Sequence, residues 1–271
     1  VTHGFLSESG VLYEGDCRNV LPELAAQGLQ VDLVFADPPF NLGKPYHGGV
    51  DDLKPGSKYE DWTRAWLTAA VALLKPGGSI FVYNMPRWCV TTAEHLLGLG
   101  LTFHNWIAVR ETHGPPRKKG LYRAHYGLVY FTNGEPTVQR KLRVPIETCR
   151  HCGGDVRDYG GYRGTLKEGG ISVSDIWTDI SSVRHPKFKA VGFNGPQLST
   201  RLVRRVLLMA SEPGDLILDP FMGSGSTAVV CEAEDRRWVG VELEASSCET
   251  IQRRLTTDPV AFHESVDWVA S

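Results

Sequence analysis

Hydrophobic and polar positions along this chain fall into two periods: short apolar runs of strand length, and longer stretches repeating every 3.6 residues. The runs at 11–13, 31–36, 79–83, 102–109, 126–132, 216–218 and 238–242 predict strands, with Val31-Asp32-Leu33-Val34-Phe35-Ala36 reading as a buried one. Helical spacing runs over 19–27, where Pro22 is tolerated only in the first turn, and over 60–74, where Trp62, Trp66 and Leu73 recur and both tryptophans read as packing residues. Further helices are expected at 87–99, at 196–210 with Pro196 in the first turn, and at 245–255. Pro76-Gly77-Gly78 ends the second helix, and residues 1–10 read as an exposed leader. Strand, helix, strand in quick alternation is the rhythm of an α/β fold, here closed by 102–109 and 126–132 as an antiparallel pair. The period is lost over 134–195, which predicts an irregular insertion between two halves, 1–133 and 196–271.

Composition adds bounds. A chain of 271 residues can bury one sizeable core with a modest insertion. A net charge of −2 gives no bulk reason to infer nucleic acid, so any such surface must be local. Two basic stretches qualify: the segment 110–123, holding Arg117, Lys118, Lys119 and Arg123 among prolines and glycines, and 184–189, holding Lys187. No apolar run has membrane-spanning length and no secretory segment opens the chain. The six scattered cysteines are therefore expected as reduced thiols in a cytoplasmic protein. Cys149 and Cys152 have half of a zinc-knuckle spacing, but a structural site needs four ligands and no second pair lies nearby, so no metal is expected.

Two stretches carry the candidate chemistry. In Asp219-Pro220-Phe221-Met222-Gly223-Ser224-Gly225-Ser226-Thr227 a glycine-rich turn joins a strand to a helix, which lets backbone N–H groups approach a ligand. It has neither the lysine of a phosphate-binding loop nor the three-glycine dinucleotide pattern, which points to a nucleoside-bearing ligand without a polyphosphate. Glu242, 17 residues after Gly225, stands where an acid can bind ribose hydroxyls. Far upstream, Asp37-Pro38-Pro39-Phe40 follows the buried strand, so that an acceptor and an aromatic face share one rigid corner. That pairing suits a planar base carrying an amino group. The long polar loop 41–58 directly after it, with Tyr46 and His47, is placed to act as a lid.

Together these motifs resemble the S-adenosylmethionine-dependent DNA amino-methyltransferases, and their order resembles the beta group, in which the catalytic motif comes first and the cofactor motif last. The resemblance covers 11–133 and 196–255, and implies a Rossmann-like α/β sheet with helices on both faces, permuted motif order and an irregular recognition insertion. It implies cofactor-binding roles for Asp16, Asp219, Phe221, Gly223, Gly225 and Glu242, and catalytic roles for Asp37, Pro38, Pro39 and Phe40. Ser226-Thr227 replaces the family's usual Thr-Thr, and Gly195-Pro196 its Lys-Pro. The implied reaction is direct: Asp37 and the Pro38 carbonyl accept the amino hydrogens, Phe40 stacks on a flipped-out base, and an N-methylated base and S-adenosylhomocysteine result. An acid at position 37 favours adenine N6, with cytosine N4 the alternative. Double-stranded DNA is the implied partner, and a homodimer and a cognate restriction endonuclease are compatible with the resemblance. An RNA or small-molecule methyltransferase would keep the cofactor loop, whereas a silent DNA-binding module would not need Asp37 and Phe40.

Overall fold

The computed structural model describes residues 3–43, 53–111, 119–146, 148–149, 151–154, 170–180, 183, 189–190 and 195–257. Among them a nine-stranded sheet runs in the order β1-β2-β11-β10-β3-β4-β6-β5-β9. The strands are β1 (His3–Leu6), β2 (Gly10–Glu14), β3 (Val31–Ala36), β4 (Leu74–Asn84), β5 (Thr102–Arg110), β6 (His125–Thr132), β9 (Ile176–Trp177), β10 (Leu216–Asp219) and β11 (Arg237–Glu242). The short strands β7 (Arg143–Val144) and β8 (Ile171–Ser172) form a separate antiparallel pair. Strands β2, β11, β10, β3 and β4 are parallel neighbours, and the expected antiparallel pair β5–β6 closes one side.

Among the described residues six helices cover the two faces: α1 (Cys17–Ala26), α2 (Gly56–Val71), α3 (Pro86–Gly98), α4 (Thr200–Ala210), α5 (Ser226–Ala233) and α6 (Ala245–Thr257). The period of two in each strand decides which core its side chains join. Leu33, Phe35, Phe81 and Ile217 pack with Leu202, Val206, Val230 and Ile251 of α4, α5 and α6. Val34, Ala36, Ile80 and Leu218 pack with Leu21, Trp66, Leu67 and Leu96 of α1, α2 and α3. The near-continuous apolar runs of β3 and β10 follow from this burial on both faces.

Four expectations need correction. The first helix opens at Cys17, which puts Pro22 inside it rather than in its first turn. Residues 3–6 are not a leader but strand β1, antiparallel to β2. Pro76-Gly77-Gly78 does not stop the helix, which already ends at Val71; these residues lie inside β4, which begins at Leu74 and passes through a bulge, the register with β3 slipping between Val31↔Leu74 and Leu33↔Ser79. Gly77 takes φ 78° there, and a Cβ would meet Thr137 Oγ1 at 2.3 Å. Finally, α4 starts at Thr200 rather than 196. The preceding segment is held out of the helix because the Leu198 carbonyl accepts a hydrogen bond from Ser226 Oγ (3.0 Å) and the Gln197 side chain accepts from the Ala190 N–H (2.7 Å).

Candidate active site

All five parallel strands end on the same edge of the sheet, and ligands in open α/β sheets bind outside the carboxyl ends of strands. A cavity of about 1080 Å³ opens there. It is lined by Gly15 and Asp16 after β2, Glu242 ending β11, Asp219 and the loop after β10, Asp37 to Phe40 after β3, and Tyr83 in β4. The corner and the glycine loop are therefore neighbours although some 180 residues separate them in sequence, because β10 and β3 pair directly, Leu218 opposite Val34.

The loop is a self-braced structure. Asp219 is buried, and its carboxylate accepts from the Phe221 N–H (2.9 Å) and the Thr227 hydroxyl (2.5 Å), so it shapes the loop from beneath. Burial pushes its pKa up to about 6 against those two hydrogen bonds. Gly223 and Gly225 adopt φ 54° and 80°, the left-handed region, and Gly225 is the N-cap of α5. Arg254 of α6 donates to the Ser224 carbonyl at 2.9 Å and fixes the outer side. Of the Ser226-Thr227 pair, the threonine keeps the bond to Asp219 while the serine ties the loop to Leu198.

Glu242 accepts from the N–H groups of Gly223 (2.7 Å) and Glu244 (2.9 Å). Burial nevertheless raises its pKa to about 7, since two backbone donors only partly replace lost water. Asp16 caps α1, accepting from the Arg18 N–H at 2.9 Å and pairing with the Arg18 guanidinium at 2.5 Å. The Arg18 side chain is the main reason its pKa lies below the usual value, so it stays an ionised acceptor at the cavity wall. Phe221 meets Trp62 at 5.6 Å and the fully buried Trp66 edge-on at 5.0 Å. Trp62, expected only to pack, thus also lines the cavity, with the Lys54 ammonium 5.9 Å from its ring.

The corner is clamped through its backbone. Tyr59 donates its hydroxyl hydrogen to the Pro39 carbonyl (2.5 Å) while accepting from Asn84 (3.0 Å), and Trp88 donates to the Phe40 carbonyl (3.0 Å). The two prolines supply no N–H and fix φ, so these carbonyl contacts hold the corner and leave the Asp37 side chain at the cavity. Phe40 lies 5.9 Å from Tyr83 and 5.3 Å from Tyr126, and the two tyrosines are 5.2 Å apart. Tyr59, Asn84 and Trp88 were not legible as site residues: they sit within ordinary helix and strand patterns, and only the fold brings them to the motif.

Of the expected basic contacts, Arg117, Lys118 and Lys187 lie outside the described residues, as do Tyr46 and His47. Lys119 is exposed. Arg123 is half-buried, its guanidinium 4.5 Å from the Tyr126 ring centre and 3.2 Å from that hydroxyl. Cys149 belongs to a tight turn, its N–H donating to the Gly154 carbonyl (2.6 Å), and among the described residues no group of three or more metal-ligating side chains occurs. Among the described residues, no helix is long and apolar enough to cross a membrane.

One α/β sheet thus gathers an acidic Pro-Pro-aromatic corner, a glycine loop and the buried Glu242 carboxylate around one cavity at the carboxyl ends of its strands. The family model described as DNA methylase matches residues 31–253, and the chain belongs to that family. S-adenosylmethionine is the cofactor that goes with it. The residues fit this group: the Glu242 and Asp16 carboxylates and the loop from Phe221 to Gly225 line one cavity, acceptors for hydroxyl and amino groups beside an aromatic wall. The type II methyltransferase M.BamHI of Bacillus amyloliquefaciens is 42% identical over 252 residues, covering 93% of this chain and 58% of that protein. This chain thus spans little more than half the length of that relative. The type II methyltransferase M.HpaI of Haemophilus parainfluenzae is 28% identical over 256 residues, 93% of this chain and 76% of that protein. In fold, the chain is similar to the cytosine-N4-specific PvuII DNA methyltransferase, with TM-score 0.65 at 17% identity, covering 96% of this chain and 91% of that one. It is also similar to the M1.HpyAVI–SAM complex, with TM-score 0.60 at 19% identity, covering 90% and 98%.

Proposed function

We propose that this protein methylates the exocyclic amino group of a base in double-stranded DNA, with adenine N6 as the first assignment. The observation that carries the reading is the single cavity shared by the Asp37 corner and the Phe221–Glu242 side. S-adenosylmethionine supplies an electrophilic methyl group on a sulfonium. Glu242 accepts from its ribose hydroxyls, Asp16 from its adenine amino group, and Phe221 with Trp62 forms an apolar wall.

On the other side, Asp37 and the Pro38 carbonyl accept the two hydrogens of the target amino group. That frees the nitrogen lone pair from conjugation with the ring and directs it across the cavity. As the N–C bond forms the sulfur–methyl bond breaks, the neutral thioether departs, and the surplus amino proton passes by way of Asp37 to water. Phe40, backed by Tyr83 and Tyr126, offers a face for a base taken out of the stack. Holding both partners in one water-poor cleft supplies proximity, and no cysteine nucleophile is required. Residues 134–195 are assigned to target recognition, with Lys119 and Arg123 and the basic positions Arg117, Lys118 and Lys187 contacting phosphates.

Adenine rests on the carboxylate at position 37. Cytosine N4 is the second reading, because cytosine presents the same pair of amino group and adjacent ring nitrogen to Asp37. The test is mass spectrometry of nucleosides from unmethylated genomic DNA incubated with protein and cofactor, run beside M.BamHI. N6-methyladenine supports the first reading and N4-methylcytosine the second. No methylated nucleoside from protein that binds cofactor would overturn both.

A further inference from the structure

We propose that Tyr83 reads the target base, donating its phenolic hydrogen to the ring nitrogen beside the amino group that is methylated, N1 of adenine or N3 of cytosine. This assignment rests on the DNA amino-methylation reading above and extends it to the base edge. The register places the residue: β4 runs parallel to β3 with Ala36 opposite Val82, so Asp37 and Tyr83 leave the two strands side by side. Tyr83 is only 8% exposed, its ring is boxed by Phe40 and Tyr126, and it lines the cavity.

Its hydroxyl makes no hydrogen bond among the described residues. The phenol oxygen is not sealed from solvent, so it stands at the cavity wall as an accessible donor that a ligand atom can take. The neighbouring tyrosines differ, since Tyr59 is bonded to the Pro39 carbonyl and Tyr126 to Arg123. Burial first, and then the charge of Asp37, keeps the Tyr83 pKa well above its usual value, so the group is a neutral donor.

The chemistry is complementary. Adenine and cytosine both present an amino donor next to a ring-nitrogen acceptor. Asp37 and the Pro38 carbonyl take the donor, which leaves the acceptor in need of an O–H. Guanine and thymine carry an N–H at the corresponding ring position, which would face the phenol donor to donor. A site built to bond one edge rejects an analogue lacking it, because its own polar group is then left unpaired.

The test uses a duplex carrying the site mapped from plasmid DNA that the protein has methylated, with the target base intact or replaced by 1-deazaadenine or 3-deazacytosine. Tyr83→Phe is expected to lower kcat/KM on the intact duplex about tenfold, the loss of one hydrogen bond to a buried acceptor (~1.4 kcal/mol). The deaza base should cost the wild type a similar factor and cost Tyr83→Phe nothing more. Unchanged kcat/KM in Tyr83→Phe, or penalties that simply multiply, would overturn the assignment. So would a loss of affinity for labelled S-adenosylmethionine in equilibrium dialysis, which would move Tyr83 to the cofactor side. If the wild type binds cofactor yet methylates no DNA, the function proposed above falls and the base-reading role falls with it.

Discussion

Cofactor affinity should depend on pH through Glu242. In the free protein burial holds this carboxyl near 7, above its usual 4.5. Ribose hydroxyls donate to the ionised form, so affinity for S-adenosylmethionine rises as pH climbs toward 7 and levels off above it. At ~pH 6 about a tenth of the free protein is ionised, against nearly all of it for an ordinary glutamate. A hydrogen bond to a charged acceptor exceeds one to a neutral acid by about 1.4 kcal/mol, so the fall in affinity between ~pH 8 and ~pH 6 is about fivefold, approaching tenfold only at still lower pH. Folding stability moves the other way: the folded chain holds the proton more tightly than the unfolded one, so stability of the free protein decreases as pH rises from 4.5 through about 7. Isothermal titration calorimetry across that range, on wild type and Glu242→Gln, decides the matter. The glutamine variant should bind more weakly than wild type above neutrality and show a flat profile. A flat wild-type profile, or an unchanged slope in Glu242→Gln, would refute the role given to this carboxylate.

Other residues give sharper single outcomes. Asp37→Ala should lower methyl transfer by roughly 10²–10⁴-fold while leaving cofactor affinity unchanged, read by tritium transfer and equilibrium dialysis. Thr227→Val leaves the buried Asp219 carboxylate short of one donor. It should cost about 1–3 kcal/mol in urea unfolding, whereas Thr227→Ser should cost much less. Gly10→Ala would place a Cβ 2.1 Å from the fully buried Trp238 indole, which has no room to retreat. A loss of about 1–3 kcal/mol is expected by the same measurement, and wild-type stability would show that β2 and β11 separate more easily than their packing implies.

The core of the sheet was readable because its signals are local. Val31–Ala36 and Leu216–Asp219 are apolar enough to be strands on any reading, and each is followed at once by its motif. Where expectation slipped, a distant contact had overridden a local signal. Pro196 is a good first-turn residue, yet the bond from Ser226 to the Leu198 carbonyl draws this stretch along the cavity and delays the helix to Thr200. The Pro76-Gly77-Gly78 turn hid a strand that crosses it by a bulge, supported by the Gly77 N–H donating to the Asn133 carbonyl at 2.6 Å. Trp62 shows the same limit for function. Its helical spacing is that of a core residue, and only Phe221, 159 positions later, makes it part of the cavity wall. The contacts that run from Asn84 to Tyr59 to the Pro39 carbonyl, and from Trp88 to the Phe40 carbonyl, have no sequence pattern, because their members come from β4, α2, α3 and the corner itself.

The strand order also constrains how the protein acquires its shape. Strands β10 and β11, from near the end of the described chain, lie between β2 and β3, from near its start. During synthesis β2 and β3 emerge early but have no partners on those sides until residues 216–242 follow. Both therefore wait with open edges while most of the chain is made. Closing so long a loop is the slow class of folding event, and exposed strand edges invite pairing with other chains in the interval. A chain cut between its two motifs would leave β2 and β3 without the strands that join them, so the parallel centre of this sheet is closed only when β10 and β11 arrive.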